Sequence, residues 1–188
     1  MSSRLLYFAY GSNLLPERLR ERVASARVVG TGRISGRVLR FHKLGGDGSG
    51  KCDCHATGDP RDRVCGVVYE MDEFEKPGLD AAEGPGYAEI EVAVRLSSSS
   101  VTAYTYAARD THVVPGIPPF HWYKALVLMG ARHHRLDKVT LRRIRAVVAV
   151  PDTDPERAAR HRGLITDHTS PSDSEIIPIL DDRPRSDR

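Results

Sequence analysis

Apolar and polar positions alternate most cleanly between Ala88 and Leu96. Ala88, Ile90, Val92, Val94 and Leu96 fall on one side, and Glu89, Glu91 and Arg95 on the other. This period of two predicts a strand with one wet face. The serine run at 97–100 is a turn signal, and Val101 to Ala108 predicts the returning strand of a hairpin. Leu5 to Ala9 is a short apolar and aromatic run of strand character. Arg63 to Met71 is β-branched and apolar almost throughout, the pattern of a strand covered on both faces. Ala26 to Leu44 is rich in Val, Ile and Leu. Gly30, Gly32 and Gly36 interrupt it, which predicts strands with a bend or bulge. Lys51 to Thr57 predicts a further short strand.

A helical period appears in four places. Pro16 to Val23 follows a break at Gly11-Ser12-Asn13, with proline where a first-turn N–H has no partner to lose. A short helical stretch follows Asp72, a candidate cap, and stops at Gly84-Pro85-Gly86. Phe120 to Arg132 is an apolar helix with Trp122, Leu126 and Met129 near one stripe, beside Tyr123 and Val127. Asp137 caps a second helix carrying Leu141 and Ile144. Thr111 to Pro119 reads as irregular, and Val147 to Val150 as extended. These elements predict an α+β fold: a small, curled, mainly antiparallel sheet, barrel-like and flanked by helices. One folded domain is expected over residues 1–150. Residues 151–188 are expected to be a polar, partly ordered tail, loosely attached or disordered by Asp181.

Composition narrows the function classes. The chain has 188 residues and a formal net charge of +3, with both signs mixed along it. No basic stripe suggests nucleic acid. No apolar run approaches the roughly 20 residues that span a bilayer, and Arg4 leads straight into a strand rather than a signal segment. The expected compartment is the cytoplasm. Oligomeric state is not legible. The excess of arginine over lysine reads as genomic bias. Cys52, Cys54 and Cys65 are odd in number and clustered, which argues against a disulfide framework.

Three places invite chemistry. Gly11-Ser12-Asn13 joins a strand to a helix start, where backbone N–H groups and the helix dipole favour an anion and Gly11 allows a close approach. It lacks the spaced glycines and Lys-Ser/Thr pair of a phosphate loop. Glu83 stands where an apolar segment gives way to a turn; its plain alternative is a solvated helix-end glutamate. Cys52-Asp53-Cys54-His55 resembles a metal motif only loosely, because its cysteines are too close and lack a second pair. His133-His134 reads as surface. No serine-hydrolase elbow is present.

Three separated blocks carry a resemblance to the gamma-glutamylcyclotransferase (AIG2-like) family. They are Tyr7-Phe8-Ala9-Tyr10-Gly11-Ser12-Asn13; Val64 to Met71 with Leu79-Asp80-Ala81-Ala82-Glu83-Gly84 and Tyr87; and Gly116 to Lys124 with Met129-Gly130-Ala131. Asp47-Gly48-Ser49-Gly50-Lys51 looks like bacterial members. The resemblance spans about Leu5 to Val150, and Cys52, Asp53 and Cys54 depart from it. It implies cyclisation of a gamma-glutamyl group to 5-oxoproline with release of the attached amine. It implies Glu83 as general acid/base, and Tyr7, Phe8, Ala9, Tyr10, Gly11, Ser12, Asn13 and Tyr123 as substrate-binding residues. The partner is a small gamma-glutamyl molecule, with no cofactor and no metal. The alternative is a non-catalytic binding module of the same fold.

Overall fold

The computed structural model describes residues 3–166. Seven strands and five helices follow one another as β1 (Arg4–Ala9), α1 (Pro16–Arg20), β2 (Arg27–Ser35), β3 (Arg37–Leu44), β4 (Gly50–Ala56), β5 (Arg63–Asp72), α2 (Lys76–Glu83), β6 (Tyr87–Arg95), β7 (Ser100–Ala108), α3 (His121–His133), α4 (Lys138–Ala146) and α5 (Pro155–Thr166). Five strands close into a barrel in the order β1-β5-β2-β6-β7, and β3 with β4 forms a separate hairpin. The predicted α+β, mainly antiparallel architecture is therefore present.

The strand patterns explain the order. β5 pairs with β1 on one edge and β2 on the other. Sheets on both edges and cover on both faces account for its unbroken apolar run. β2 slips register between Val28 and Gly30, the bulge expected of its glycines, and bulges supply the extra twist that closure needs. β6 and β7 pair from Tyr87–Ala108 to Arg95–Ser100, so the predicted hairpin holds in full register. Closure is completed by a parallel contact of β1 with β7 at Tyr7 and Tyr104. A buried hydroxyl reinforces this seam: Thr105 Oγ1 donates to the Phe8 carbonyl at 2.7 Å. Such a bond contributes about 1 kcal/mol.

Two local expectations change. Asp72 does not cap with its side chain. It turns instead to Arg4, with 3.1 Å between Nε and Oδ1. α1 ends at Arg20, short of Val23, because Arg22 and Val23 fold back in turn bonds to the Leu19 carbonyl. A five-residue helix makes about one turn, so its dipole is weak support for an anion at Gly11. Asp137 caps α4 as expected, accepting from the N–H groups of Val139 and Thr140.

α3 is the apolar spine. Every residue from Trp122 to Ala131 is buried. A Cβ on Gly130 would lie 2.5 Å from Leu14 Cβ and Leu15 N, so glycine is what lets α3 touch the loop after β1. His134 is not a surface residue. Its Nε2 lies 2.9 Å from the Leu14 carbonyl and 3.0 Å from the Tyr69 hydroxyl, tying the end of α3 to the same loop. His133 is exposed.

Beyond Pro151, residues 155–166 form α5, with Ala158 and Ile165 buried. The expectation of disorder by Asp181 concerns positions outside the described residues. α5 is held to α3 by His161, whose ring stacks on Trp122 at 3.8 Å and 19°. Trp122 Nε1 donates to Asp152 Oδ2 at 2.7 Å, and Arg157 Nε donates to the same oxygen at 2.7 Å. Burial presses Asp152 upward, yet these bonds bring it down to about 2.

Burial and nearby cations lower the His161 pKa to about 4. The unfolded chain binds a proton there near pH 6.5, while the folded chain does not. Stability contributed by neutral His161 is thus full above pH 6.5 and is lost as pH falls toward 4. Going from pH 7 to pH 5 should cost about 1–2 kcal/mol through this group. His161→Phe keeps a ring on Trp122 and should flatten that part of the pH dependence in thermal melts.

Candidate active site

Glu83 is the last residue of α2. It follows Leu79, which is wholly buried, by four positions. That spacing sets both side chains on one helix face, so the packing of Leu79 turns the carboxylate inward. Gly84, at φ 75°, then redirects the chain into β6. The Glu83 side chain is 17% exposed, not a solvated helix end.

The loop after β1 meets it. Asn13 is buried, and its Nδ2 donates to Glu83 Oε1 at 2.8 Å and to the Tyr7 hydroxyl at 3.1 Å. Its Oδ1 accepts from Arg22 Nη1 at 2.8 Å. Both amide hydrogens and the carbonyl are thereby used, which fixes the amide's orientation. Arg22 Nη1 also lies 3.7 Å from Glu83 Oε1. Burial raises the Glu83 pKa; Arg22 and Asn13 oppose the shift without cancelling it.

A cavity of about 290 Å³ opens in front of this carboxylate. Tyr7, Tyr10, Gly11, Ser12, Asn13 and Tyr123 line it with Glu83. These are seven of the nine residues that the sequence marks out. Phe8 and Ala9 are not brought to it. Strand alternation sends the Phe8 ring away from Tyr7, against Gly66 of β5, and Ala9 offers only a buried methyl.

Tyr87, Tyr106 and Cys52 complete the lining. Tyr87 stands inside the second resembling block, so its signal was present. Tyr106 alternates with Tyr104 on β7 and carries no local mark of a site. Cys52 arrives through the β3–β4 hairpin, which two hydroxyls hold in place. Tyr123 accepts from the Cys52 N–H at 3.0 Å, and Tyr87 donates to the Cys52 carbonyl at 2.6 Å. A Cβ on Gly11 would come within 3.0 Å of Cys52 Cβ, so the close approach of Gly11 is to this hairpin.

The arrangement leaves donors pointed at the cavity. Tyr7 accepts the Asn13 N–H through oxygen, so its O–H hydrogen remains available, whereas the Tyr123 hydroxyl accepts the Cys52 N–H and also faces the Cys52 thiol. Burial raises both phenols well above the ordinary tyrosine value, which keeps them protonated. The first bond of the turn at Ser12–Leu14 runs from the Leu14 N–H to the Gly11 carbonyl at 3.0 Å. The N–H groups of Gly11, Ser12 and Asn13 precede it and have no helical partner.

The cysteines do not assemble into one cluster. Cys52 and Cys54 are buried in β4, and burial pushes Cys54 up to about 11. Cys65 instead donates to Asp137 Oδ2 at 3.1 Å. Among the described residues, His42, Asp53 and His55 have ligand atoms near enough to share an ion. Asp53 is already occupied, by His42 Nε2 at 2.8 Å and by the Ala108 N–H at 2.8 Å.

A model of the AIG2-like family matches residues 63–140. The chain is 34% identical over 142 residues to the gamma-glutamylcyclotransferase of Bos taurus, covering 70% of this chain and 72% of that one. It is 32% identical over 153 residues to the gamma-glutamylcyclotransferase of Homo sapiens, covering 76% and 78%. The chain belongs to the gamma-glutamylcyclotransferase family. A solved gamma-glutamyl cyclotransferase superposes with a TM-score of 0.73 at 27% identity, covering 95% of this chain and 98% of that one. No helix among the described residues is long and apolar enough to cross a membrane.

The Asn13 amide lowers the Glu83 pKa against the pull of burial. Asn13→Asp would set a second carboxylate in its place. The Glu83 titration, followed by carbon NMR of labelled glutamate, should move upward by about one unit or more. An unchanged titration would show that the Asn13 bond does not govern Glu83.

Proposed function

We propose that this protein is a gamma-glutamylcyclotransferase in which Glu83 moves the protons. The single observation that carries the reading is a half-buried carboxylate of raised pKa, facing a small cavity ringed by unspent donors. In the proposed reaction the substrate's alpha-nitrogen attacks its own gamma-carbonyl carbon. A carbon–nitrogen bond forms and closes a five-membered ring. The bond from that carbon to the attached amine breaks, releasing 5-oxoproline and the amine. Because the attack is intramolecular, the protein has mainly to select the folded-back conformer. That accounts for a site with no protein nucleophile: Cys52 is buried, and burial holds its thiol strongly protonated.

Glu83 takes the proton that the alpha-ammonium must lose, then returns one to the departing nitrogen. A raised pKa suits both steps, since the same group must accept and then give near neutrality. The N–H groups of Gly11, Ser12 and Asn13, with the Tyr7 and Tyr123 hydroxyls, fit the anions involved. These are the alpha-carboxylate and the oxyanion that develops at the gamma-carbonyl. A fixed donor to such an oxyanion contributes on the order of 3–4 kcal/mol in the transition state. The compartment that fits is the cytoplasm, because all three cysteines are unpaired.

Glu83→Gln should retain the fold and form 5-oxoproline about 10²–10⁴-fold more slowly, measured by chromatography with gamma-glutamyl dipeptides. Undiminished product from that variant would overturn the role of Glu83. In the unaltered protein kcat/KM should fall as pH drops through the Glu83 pKa, because the reaction begins with its charged form. That acid limb should lie above the range of an ordinary glutamate.

A further inference from the structure

A second, larger cleft of about 710 Å³ adjoins the cavity. Ser12, Glu83, Tyr87 and Tyr123 line both spaces, so Glu83 stands at their junction. The cleft wall carries five cationic side chains, three of which have partners. Lys51 Nζ meets Asp47 Oδ2 at 2.6 Å. Arg157 is paired with Asp152, and Arg22 with Asn13 and Glu83.

The other two are Lys43 and Arg18, which are 7% and 9% exposed. Arg18 Nε is buried without a hydrogen-bond partner. Lys43 Nζ lies 4.5 Å from the centroid of the Tyr87 ring, and no carboxylate is within 4 Å of it among the described residues. A cation withdrawn from water is costly unless something pairs with it. The two carboxylates on the wall are already engaged, Asp47 by Lys51 and Glu83 by Asn13 and Arg22. Among the described residues neither cation has a carboxylate in ion-pair contact: Glu83 and Asp47 act on Lys43, and Glu21 and Glu83 on Arg18, only through space.

If the glutamyl group sits in the inner cavity, the bond that breaks lies at Glu83 and the attached amine extends into this cleft. We propose that the amine half of the substrate is dianionic, an acidic amino acid or a peptide beginning with one, and that Lys43 and Arg18 each receive one of its carboxylates. The inference rests on the cyclotransferase reading and adds the class of amine released. An alpha-carboxylate satisfies one cation, and the acidic side chain satisfies the other. The partnered cations hold the wall in shape and set a positive field across the mouth.

The test compares gamma-glutamyl-glutamate, gamma-glutamyl-glutamine and gamma-glutamyl-methylamide, whose amine halves carry two, one and no negative charges. In the unaltered protein kcat/KM for 5-oxoproline release should fall by about tenfold or more at each step, since one desolvated charge pair readily exceeds that factor. Lys43→Met and Arg18→Met should each narrow the total span by about tenfold. Equal rates on all three substrates, or spans unchanged in both variants, would overturn the proposal. Circular dichroism checks that each variant folds, and Arg18→Gln and Lys43→Gln replace either that does not. Calorimetric titration of Glu83→Gln with the same compounds separates the two readings. Should no compound be cyclised, the cyclotransferase reading fails. The order of dissociation constants then decides the dianion subsite by itself: graded affinity supports it, and equal affinity removes it.

Discussion

The side chain of Asn13 joins the parts on which the site depends. One carboxamide links the phenol of Tyr7 on β1, the carboxylate of Glu83 at the end of α2 and the guanidinium of Arg22 after α1. These groups come from elements remote in sequence. Because both amide hydrogens and the carbonyl are engaged, the amide cannot rotate without leaving a buried polar group unpaired. The carboxylate is thereby held at one place on the cavity wall. It sits between opposing influences: burial favours the protonated form, while Asn13 and Arg22 favour the charged one. A proton carrier needs this balance, since full charge stabilisation would leave a weak base and full burial a permanent acid.

Around that amide, the barrel and α3 act as fixed supports. The buried face of α3 lies against the loop through Gly130 and His134, so the backbone N–H groups of the loop are set before any ligand arrives. The β3–β4 hairpin is the more independent part, outside the barrel sheet. It reaches the cavity because Tyr123 and Tyr87 hold the backbone N–H and the carbonyl of Cys52. The hydroxyl of Tyr123 lines the cavity and meets the hairpin twice, through the Cys52 N–H and the Cys52 thiol. Scaffold and site are thus built from the same few polar atoms, which keeps the donors at fixed distances from the carboxylate.

Much of this was legible in the chain. The alternation from Ala88 to Leu96, the apolar run of β5, the glycines of β2 and the Asp137 cap each report a local rule that tertiary packing did not overrule. Glu83 and most of the loop from Tyr7 to Asn13 were also legible, though as residue types and through resemblance rather than through contacts. Phe8 and Ala9 belong to the same run yet leave the cavity, since membership in a motif does not fix the direction of a side chain. Asp72 looked like a cap and became a partner of Arg4, because a nearby guanidinium competed for it. The segment around α5 looked like a tail because few of its residues are apolar. It packs through Ala158, Ile165 and one ring stacked on Trp122.

By itself the sequence determined what depends on spacing along the chain. It set which stretches are strands or helices, where glycine and proline end them, and which carboxylate stands at a helix terminus. Those properties follow from backbone sterics and from the periods of two and 3.6, which neighbours in the chain are enough to fix. Tertiary structure alone decided the chemical state of that carboxylate and the company it keeps. A pKa depends on burial and on charges brought near through space. Asn13 and Glu83 are seventy positions apart and become neighbours only when the barrel closes. The same closure gathers Arg18 and Lys43, from α1 and β3, onto one cleft wall, and among the described residues neither has a carboxylate in ion-pair contact. No pattern of neighbouring residues encodes that juxtaposition.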